Sequence, residues 1–121
     1  MTEIMRPSRN LPQVYLYCTP VDFRKSFNGL AAIVEHELGH NVFDGHLYAF
    51  TNKRHNKIKC LFWERNGFVL YYKSLAEEKF KWPKPGDELT ILNGEQLNWL
   101  LDGYDLNAMK PHKKLLYESV F

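Results

Sequence analysis

The sequence predicts an α+β fold: an antiparallel β-meander with one long helix packed on a face and a short C-terminal helix. Three patterns predict it: an apolar stripe at helical spacing over residues 23–38, three strand-like runs between residues 46 and 75, and a capped apolar segment after residue 92. The chain has 121 residues, 45% hydrophobic and 25% charged, which suits one domain with a buried core. Two cysteines are too few for a disulfide framework or a zinc site built from Cys alone.

The first predicted strand covers residues 14–18, a β-branched and aromatic run between two prolines. A helix should follow, because Thr19 can cap it, Pro20 suits its first turn and Asp22 favours its dipole. Apolar residues then recur every three or four positions on a helix of about 17 residues, and Gly39 is a plausible end. The residues of this stripe are Phe23, Phe27, Leu30, Val34 and Leu38.

Strands are next predicted at residues 46–51, 57–64 and 68–75, with Asn66-Gly67 as a two-residue hairpin turn between the last two. In that register Arg65 would face Phe68, Trp63 would face Leu70 and Leu61 would face Tyr72. A short edge strand is predicted at residues 80–82 before two prolines, and a further strand at residues 88–92.

A short helix is predicted after Asn93, which can form a capping box with Gln96, and Gly103 should end it. Periodicity fades after this point. The predicted organisation is therefore a single α+β domain over residues 1–103 and a loosely ordered C-terminal tail over residues 104–121. No apolar run reaches the length of a membrane span and no signal-peptide core opens the chain, so we expect a soluble cytoplasmic protein.

The segment His36-Glu37-Leu38-Gly39-His40 matches the H-E-x-x-H pattern of zinc metallohydrolases, in which two histidines bind zinc and the glutamate is the general base. A third ligand would be needed, and His46 or a distant acidic residue is the candidate. Both histidines would lie away from the apolar stripe, and Gly39 predicts that the helix ends inside the motif. A small zinc-dependent hydrolase is therefore the alternative hypothesis, and surface histidines at a helix end are the favoured interpretation.

The charge is unevenly placed along the chain. Residues 51–84 hold nine basic and three acidic side chains, a net charge of +6, whereas residues 85–109 hold five acidic and no basic ones. Aromatic residues alternate with the cations, a combination that a nucleic-acid surface needs. The alternative is that the rings form core and the lysines are solvated strand faces. The candidate nucleic-acid-binding residues are Arg24, Lys25, Lys53, Arg54, Lys57, Lys59, Arg65, Lys73 and Lys81.

Six stretches in order resemble one protein family, the TnpB-type accessory proteins (second open reading frame products) of IS-66-type insertion sequences. They lie at residues 20–30 (PVDFRKSFNGL), 43–54 (FDGHLYAFTNKR), 57–63 (KIKCLFW), 67–75 (GFVLYYKSL), 80–83 (FKWP) and 96–103 (QLNWLLDG). His36 and His40 depart from the family pattern, which weakens the zinc hypothesis further.

The resemblance implies a non-catalytic accessory role in transposition of a bacterial mobile element, beside a transposase that carries the chemistry. DNA and the transposase of the same element are the expected partners. We expect no catalytic residue, metal, cofactor, membrane partner or small-molecule substrate.

Overall fold

A computed structural model describes residues 5–83 and 89–106. It contains five strands, β1 (Val14–Tyr17), β2 (Leu47–Thr51), β3 (Lys57–Glu64), β4 (Gly67–Ser74) and β5 (Leu89–Leu92), and two α-helices, α1 (Phe27–Ala32) and α2 (Gly94–Leu101). The strands form one sheet with the order β4-β3-β2-β1-β5. The predicted α+β class is confirmed.

The sheet is mixed, so the prediction of a purely antiparallel meander is wrong. Strands β2, β3 and β4 are antiparallel neighbours as expected, but β1 pairs with β2 in parallel and with β5 antiparallel. The chain between β1 and β2 contains the helical segment, and a connection of that length can return to the starting end of the sheet, as a parallel pair requires.

The single long helix is also corrected. Helix α1 begins at Phe27 and continues as a π-helical turn, Ile33–Glu37. The start is displaced because the carbonyls of Phe23 and Lys25 accept hydrogen bonds from Lys59 Nζ, at 2.9 and 2.8 Å. In a helix those carbonyls would accept from backbone N–H groups four residues later. Gly39, at φ +67°, follows the helical segment as predicted.

The hairpin between β3 and β4 turns one residue earlier than predicted, at Arg65 and Asn66. Glu64 lies opposite Gly67 and Trp63 opposite Phe68, and Arg65 adopts a φ of +52°. Continuing the pairing, Leu61 faces Leu70 and Lys59 faces Tyr72. Each residue of β3 therefore pairs with a residue two positions earlier in β4 than predicted. A shift of two residues keeps every side chain on the same face of the sheet.

Each face of the sheet has its own core. Helix α2 covers one face, where Leu97, Leu100 and Leu101 are buried with the strand residues and with Phe80 and Trp82. The predicted edge strand at residues 80–82 is wrong, because this segment instead inserts both rings into that core, and Trp82 Nε1 donates to Tyr17 O at 3.1 Å.

The helical segment around α1 covers the opposite face. Its Leu30 and Val34 are fully buried against Tyr48, Phe50 and Leu61 of the sheet. The exposed large apolar side chains include Val69 and Tyr72 on β4, Ile91 on β5, and Phe27 and Phe43 beside the sheet.

Helix α2 forms as the sequence predicts. Asn93 and Gln96 make the reciprocal capping box, and the helix ends before Gly103, at φ +95°. Cys18 and Cys60 are buried and free, and burial raises the pKa of the Cys60 thiol. Most of the predicted tail, residues 107–121, lies outside the described residues, as do Lys84 and Glu88. Within the described ranges, no helix has the length and apolar character needed to cross a membrane.

Candidate nucleic-acid interface

Four of the nine predicted cations line one cleft of about 460 Å³. The cleft lies between the segment after β1 and the loop joining β2 to β3. Arg24 comes from the first segment, and Lys53, Arg54 and Lys57 come from the second. Asp22, Asn52 and Tyr72 also line it, so four cations and one carboxylate share a concave surface with a formal charge of +3. Two stretches that are distant in sequence thus form one basic site.

Asn52 fixes the loop that carries most of these cations. Its Oδ1 accepts from the backbone N–H groups of Asn56 and Lys57, both at 3.1 Å, and its Nδ2 donates to Asn56 Oδ1 at 2.7 Å. Thr51 adds a hydrogen bond from its hydroxyl to Lys57 O at 3.0 Å. A loop closed in this way presents Lys53 and Arg54 on a preformed backbone, so binding would order only their side chains.

Lys59 supports the other wall of the cleft from beneath. It is only 6% exposed, and its ammonium lies 4.9 Å from the centre of the Phe23 ring and 5.2 Å from that of Tyr72. Its two hydrogen bonds to the carbonyls of Phe23 and Lys25 hold that segment against the sheet. Burial, and to a lesser degree Lys57, lowers the pKa of Lys59.

Asp22 and Arg24 form an ion pair at the mouth of the cleft. Arg24 Nη2 lies 2.6 Å from Asp22 Oδ2, and Arg24 Nε donates to the same oxygen at 2.9 Å. These hydrogen bonds lower the pKa of Asp22 to about 2, so the carboxylate is ionised at any working pH. The Arg24 side chain is 91% exposed despite the pair, which leaves guanidinium N–H groups open to an incoming anion.

The other predicted cations lie elsewhere. Lys73 points to the opposite face of the sheet and donates from Nζ to Leu101 O at 3.0 Å. Arg65 is at the far end of β3, about 26 Å from Lys57 at 3.3 Å per residue. Lys25 and Lys81 are exposed but do not line the cleft. The structure therefore brings together Arg24, Lys53, Arg54 and Lys57 and leaves the remaining five outside the site.

Sequence reasoning missed two residues of the cleft. Asp22 was interpreted as a helix-capping acid, but its carboxylate accepts from Arg24 N at 2.9 Å in a local turn. Asn52 is absent from the residues that the sequence singles out. An asparagine that opens a strand-connecting loop is a known signal for side-chain bonds to the backbone, and that signal could have identified it.

A second exposed feature is a cluster of aromatic rings at the hairpin end of the same face. Phe43 contacts Trp63 at 4.8 Å between ring centroids, Trp63 contacts Phe68 at 5.0 Å, and Phe27 contacts Phe68 at 5.7 Å. Phe27 is 42% and Phe43 51% exposed. Exposed aromatic patches of this kind mark interaction surfaces.

The metallohydrolase motif does not form a metal site in the described chain. His36 and Glu37 end the π-helical turn and are exposed, whereas His40 lies beyond Gly39 and is engaged by Tyr48, with His40 Nδ1 and the Tyr48 hydroxyl 3.0 Å apart. Glu37 accepts from the Tyr17 hydroxyl at 2.5 Å. Among residues 5–83 and 89–106, no group of three or more His, Cys, Asp or Glu side chains could hold a metal ion. Nothing here supports the zinc hypothesis.

Comparison with known proteins identifies the family. The profile of the family described as IS66 Orf2 like protein matches residues 12–111 of the chain. This chain belongs to that family. It is therefore an accessory protein of an IS66-type insertion sequence, and the resemblance seen in the sequence is confirmed.

Two relatives from Sinorhizobium fredii (strain NBRC 101917 / NGR234) align along most of the chain. Uncharacterized protein y4jC is 33% identical over 104 residues, which cover 86% of this chain and 88% of the relative. Uncharacterized protein y4hO is 30% identical over 101 residues, covering 84% and 88%. No solved structure gives a significant match.

Proposed function

We propose that this protein assists transposition of its element by contacting DNA through the cleft lined by Arg24, Lys53, Arg54 and Lys57. The observation that carries the proposal is their convergence from two separate segments onto one concave surface. Cations that neutralise phosphates supply most of the sequence-independent affinity of DNA-binding proteins.

The way the cleft is held supports this assignment over a merely solvated surface. Charged loops that serve solubility alone need no fixed backbone. Here Asn52 closes one wall and Lys59 holds the other, so the backbone that carries the cations is fixed before any ligand binds. Preorganised donors lose less conformational entropy on binding.

The transposase of the same element is the second proposed partner. The cluster of Phe27, Phe43, Trp63 and Phe68 favours it, because aromatic residues are enriched at protein interfaces. This cluster and the basic cleft lie at opposite ends of β3 and β4, so one contact need not exclude the other.

The first experiment measures affinity for short duplex DNA across a salt series, with the element's terminal sequence and a scrambled control. Binding through phosphates predicts a steep fall of log K with log salt. Neutralising three cations in Lys53→Gln/Arg54→Gln/Lys57→Gln should make that slope shallower by about 2.7 if each contacts one phosphate. A higher affinity for the terminal duplex would add recognition of the element's ends.

An unchanged slope in the triple variant would show that DNA contacts lie outside the cleft. No binding by the wild type even at low salt would refute the DNA proposal altogether. The transposase contact is tested separately by co-purification with the partner, where Phe43→Ala should reduce recovery and the triple cleft variant should not.

A further inference from the structure

Strand β4 forms an edge of the sheet over its whole length. It has eight residues, Gly67–Ser74, and among residues 5–83 and 89–106 its only strand partner is β3. The other edge, β5, has four residues. Long edge strands offer unpaired N–H and C=O groups to another strand, and proteins normally protect them with prolines, bulges or charged side chains.

The hairpin geometry identifies which backbone groups point outward. Glu64 and Gly67 flank a two-residue turn, and such a flanking pair exchanges hydrogen bonds between the strands. The alternation then directs the N–H and C=O groups of Phe68, Leu70, Tyr72 and Ser74 away from β3. In the described part of the chain, no backbone or side-chain group outside β3 bonds to them.

The usual protections are missing from this strand. It contains no proline, and its register with β3 runs without a bulge. Its one charged residue, Lys73, is tied back to Leu101 O on one face and does not extend across the edge. Val69 is 46% and Tyr72 48% exposed, one on each face of the sheet. Nothing in the described part of the chain covers this pairing surface, which has apolar side chains on both faces.

We infer that β4 pairs antiparallel with β4 of a second copy of this chain, which joins two sheets into one. An antiparallel strand is its own complement under a two-fold axis, so a single surface suffices for both partners. In one register every outward N–H and C=O group finds a partner in the other copy. This register places Tyr71 opposite Tyr71 of the second copy, Leu70 opposite Tyr72 and Phe68 opposite Ser74.

Charge complementarity supports a second copy as the occupant. Antiparallel pairing brings the hairpin end of one β4 to the Ser74 end of the other, so Arg65 of one copy lies toward the segment that follows β4 in the other, whose Glu77 and Glu78 are exposed. The contact occurs twice because of the symmetry. The two-fold axis places equivalent faces of the two sheets on one side of the dimer. Both basic clefts would therefore face the same side; this consequence alone rests on the proposed function.

The test is the molar mass in solution without DNA, from light scattering across a concentration series. The expected mass of the wild type is twice the 14.3 kDa of one chain. Val69→Lys puts a charge on the edge and should raise the dimer dissociation constant at least about tenfold. Ile91→Lys is the matched control, because Ile91 is 58% exposed on the opposite edge strand, and it should remain dimeric.

Two further readouts keep the test independent of folding defects. Arg65→Glu and Glu77→Arg should each weaken the dimer, and the double variant should recover it. Hydrogen exchange at the amides of Phe68, Leu70 and Tyr72 should slow as concentration rises, whereas that of Val69 and Tyr71 should not change. A monomeric wild type at about 100 μM, or equal dimer strength in the Val69→Lys and Ile91→Lys proteins, would overturn the inference.

Discussion

Three lysines on the neighbouring strands β3 and β4 have different environments in this protein. Lys57 lines the open cleft, whereas Lys59, two residues further along β3, is buried with its ammonium on two backbone carbonyls. Lys73 on β4 is likewise bonded to a carbonyl, on the opposite face. The comparison shows that a net charge counted along a segment overstates the charge available to a ligand. Lys57 is available to a ligand, whereas the ammonium groups of Lys59 and Lys73 are held by backbone carbonyls.

The largest effect should come from removing Lys59. Lys59→Met leaves the carbonyls of Phe23 and Lys25 without their donor, which should lower the free energy of unfolding by about 1–3 kcal/mol. Urea denaturation measures this. Lys57→Met is the matched control on the same face of β3 and should change stability by less than about 0.5 kcal/mol. Equal losses in both variants would erase the distinction between the two lysines.

Asn52→Ala tests whether geometry matters in addition to charge. It deletes the side chain that closes the β2–β3 loop and leaves the net charge unchanged. We expect a loss of about 1 kcal/mol in DNA binding, or roughly fivefold in affinity, because Lys53 and Arg54 lose their fixed backbone. Fluorescence anisotropy with a labelled duplex would measure it. Wild-type affinity in this variant would mean that the cations act as mobile charges.

A smaller effect, of opposite sign, is expected at Asp22. The carboxylate repels phosphate, and at about 5 Å in water one such charge is worth about 0.8 kcal/mol. Asp22→Asn should therefore tighten DNA binding about fourfold. Asp102→Asn makes the same charge change at the Arg6 ion pair and should leave the affinity unaltered. Weaker binding by Asp22→Asn would show that Asp22 serves mainly to position Arg24.

The pKa of Asp22 provides a further check on the same ion pair. It is lowered to about 2 from 3.8, chiefly by hydrogen bonds from Arg24. A group with a lowered folded-state pKa stabilises the fold above its unfolded value, and this contribution is lost as pH falls from about 4 toward 2. NMR titration should find the low pKa, and Arg24→Gln should return it toward 3.8. A normal pKa in the wild type would mean that the pair does not persist in solution.

The sequence predicted the strand positions well and their arrangement less well. The bounds of β3 and the capping box of α2 were predictable because alternation and capping are local signals. The parallel pairing of β1 with β2 was not, because it depends on where a connection returns. The start of α1 was missed because Lys59, far along the chain, takes the carbonyls that would have continued the helix.

The same limit applies to the candidate site. Composition drew attention to Lys53, Arg54 and Lys57, which are near one another in sequence and line the cleft from one loop and strand end. It could not separate them from Lys59 and Lys73, since the face and depth of a strand residue depend on what packs above it. Nor could it reveal that Arg24 lines the same cleft as a member of an ion pair with Asp22.

The most direct measurement compares the duplex DNA affinity of Lys57→Gln with that of Lys73→Gln. Each variant removes one positive charge from the sheet, so the net charge of the protein is the same in both. Lys57→Gln should weaken binding and make the salt slope shallower by about 0.9, the loss of one phosphate contact. Lys73→Gln should leave both unchanged. Equal weakening in the two proteins would contradict the account, because overall charge and not the cleft would then determine binding.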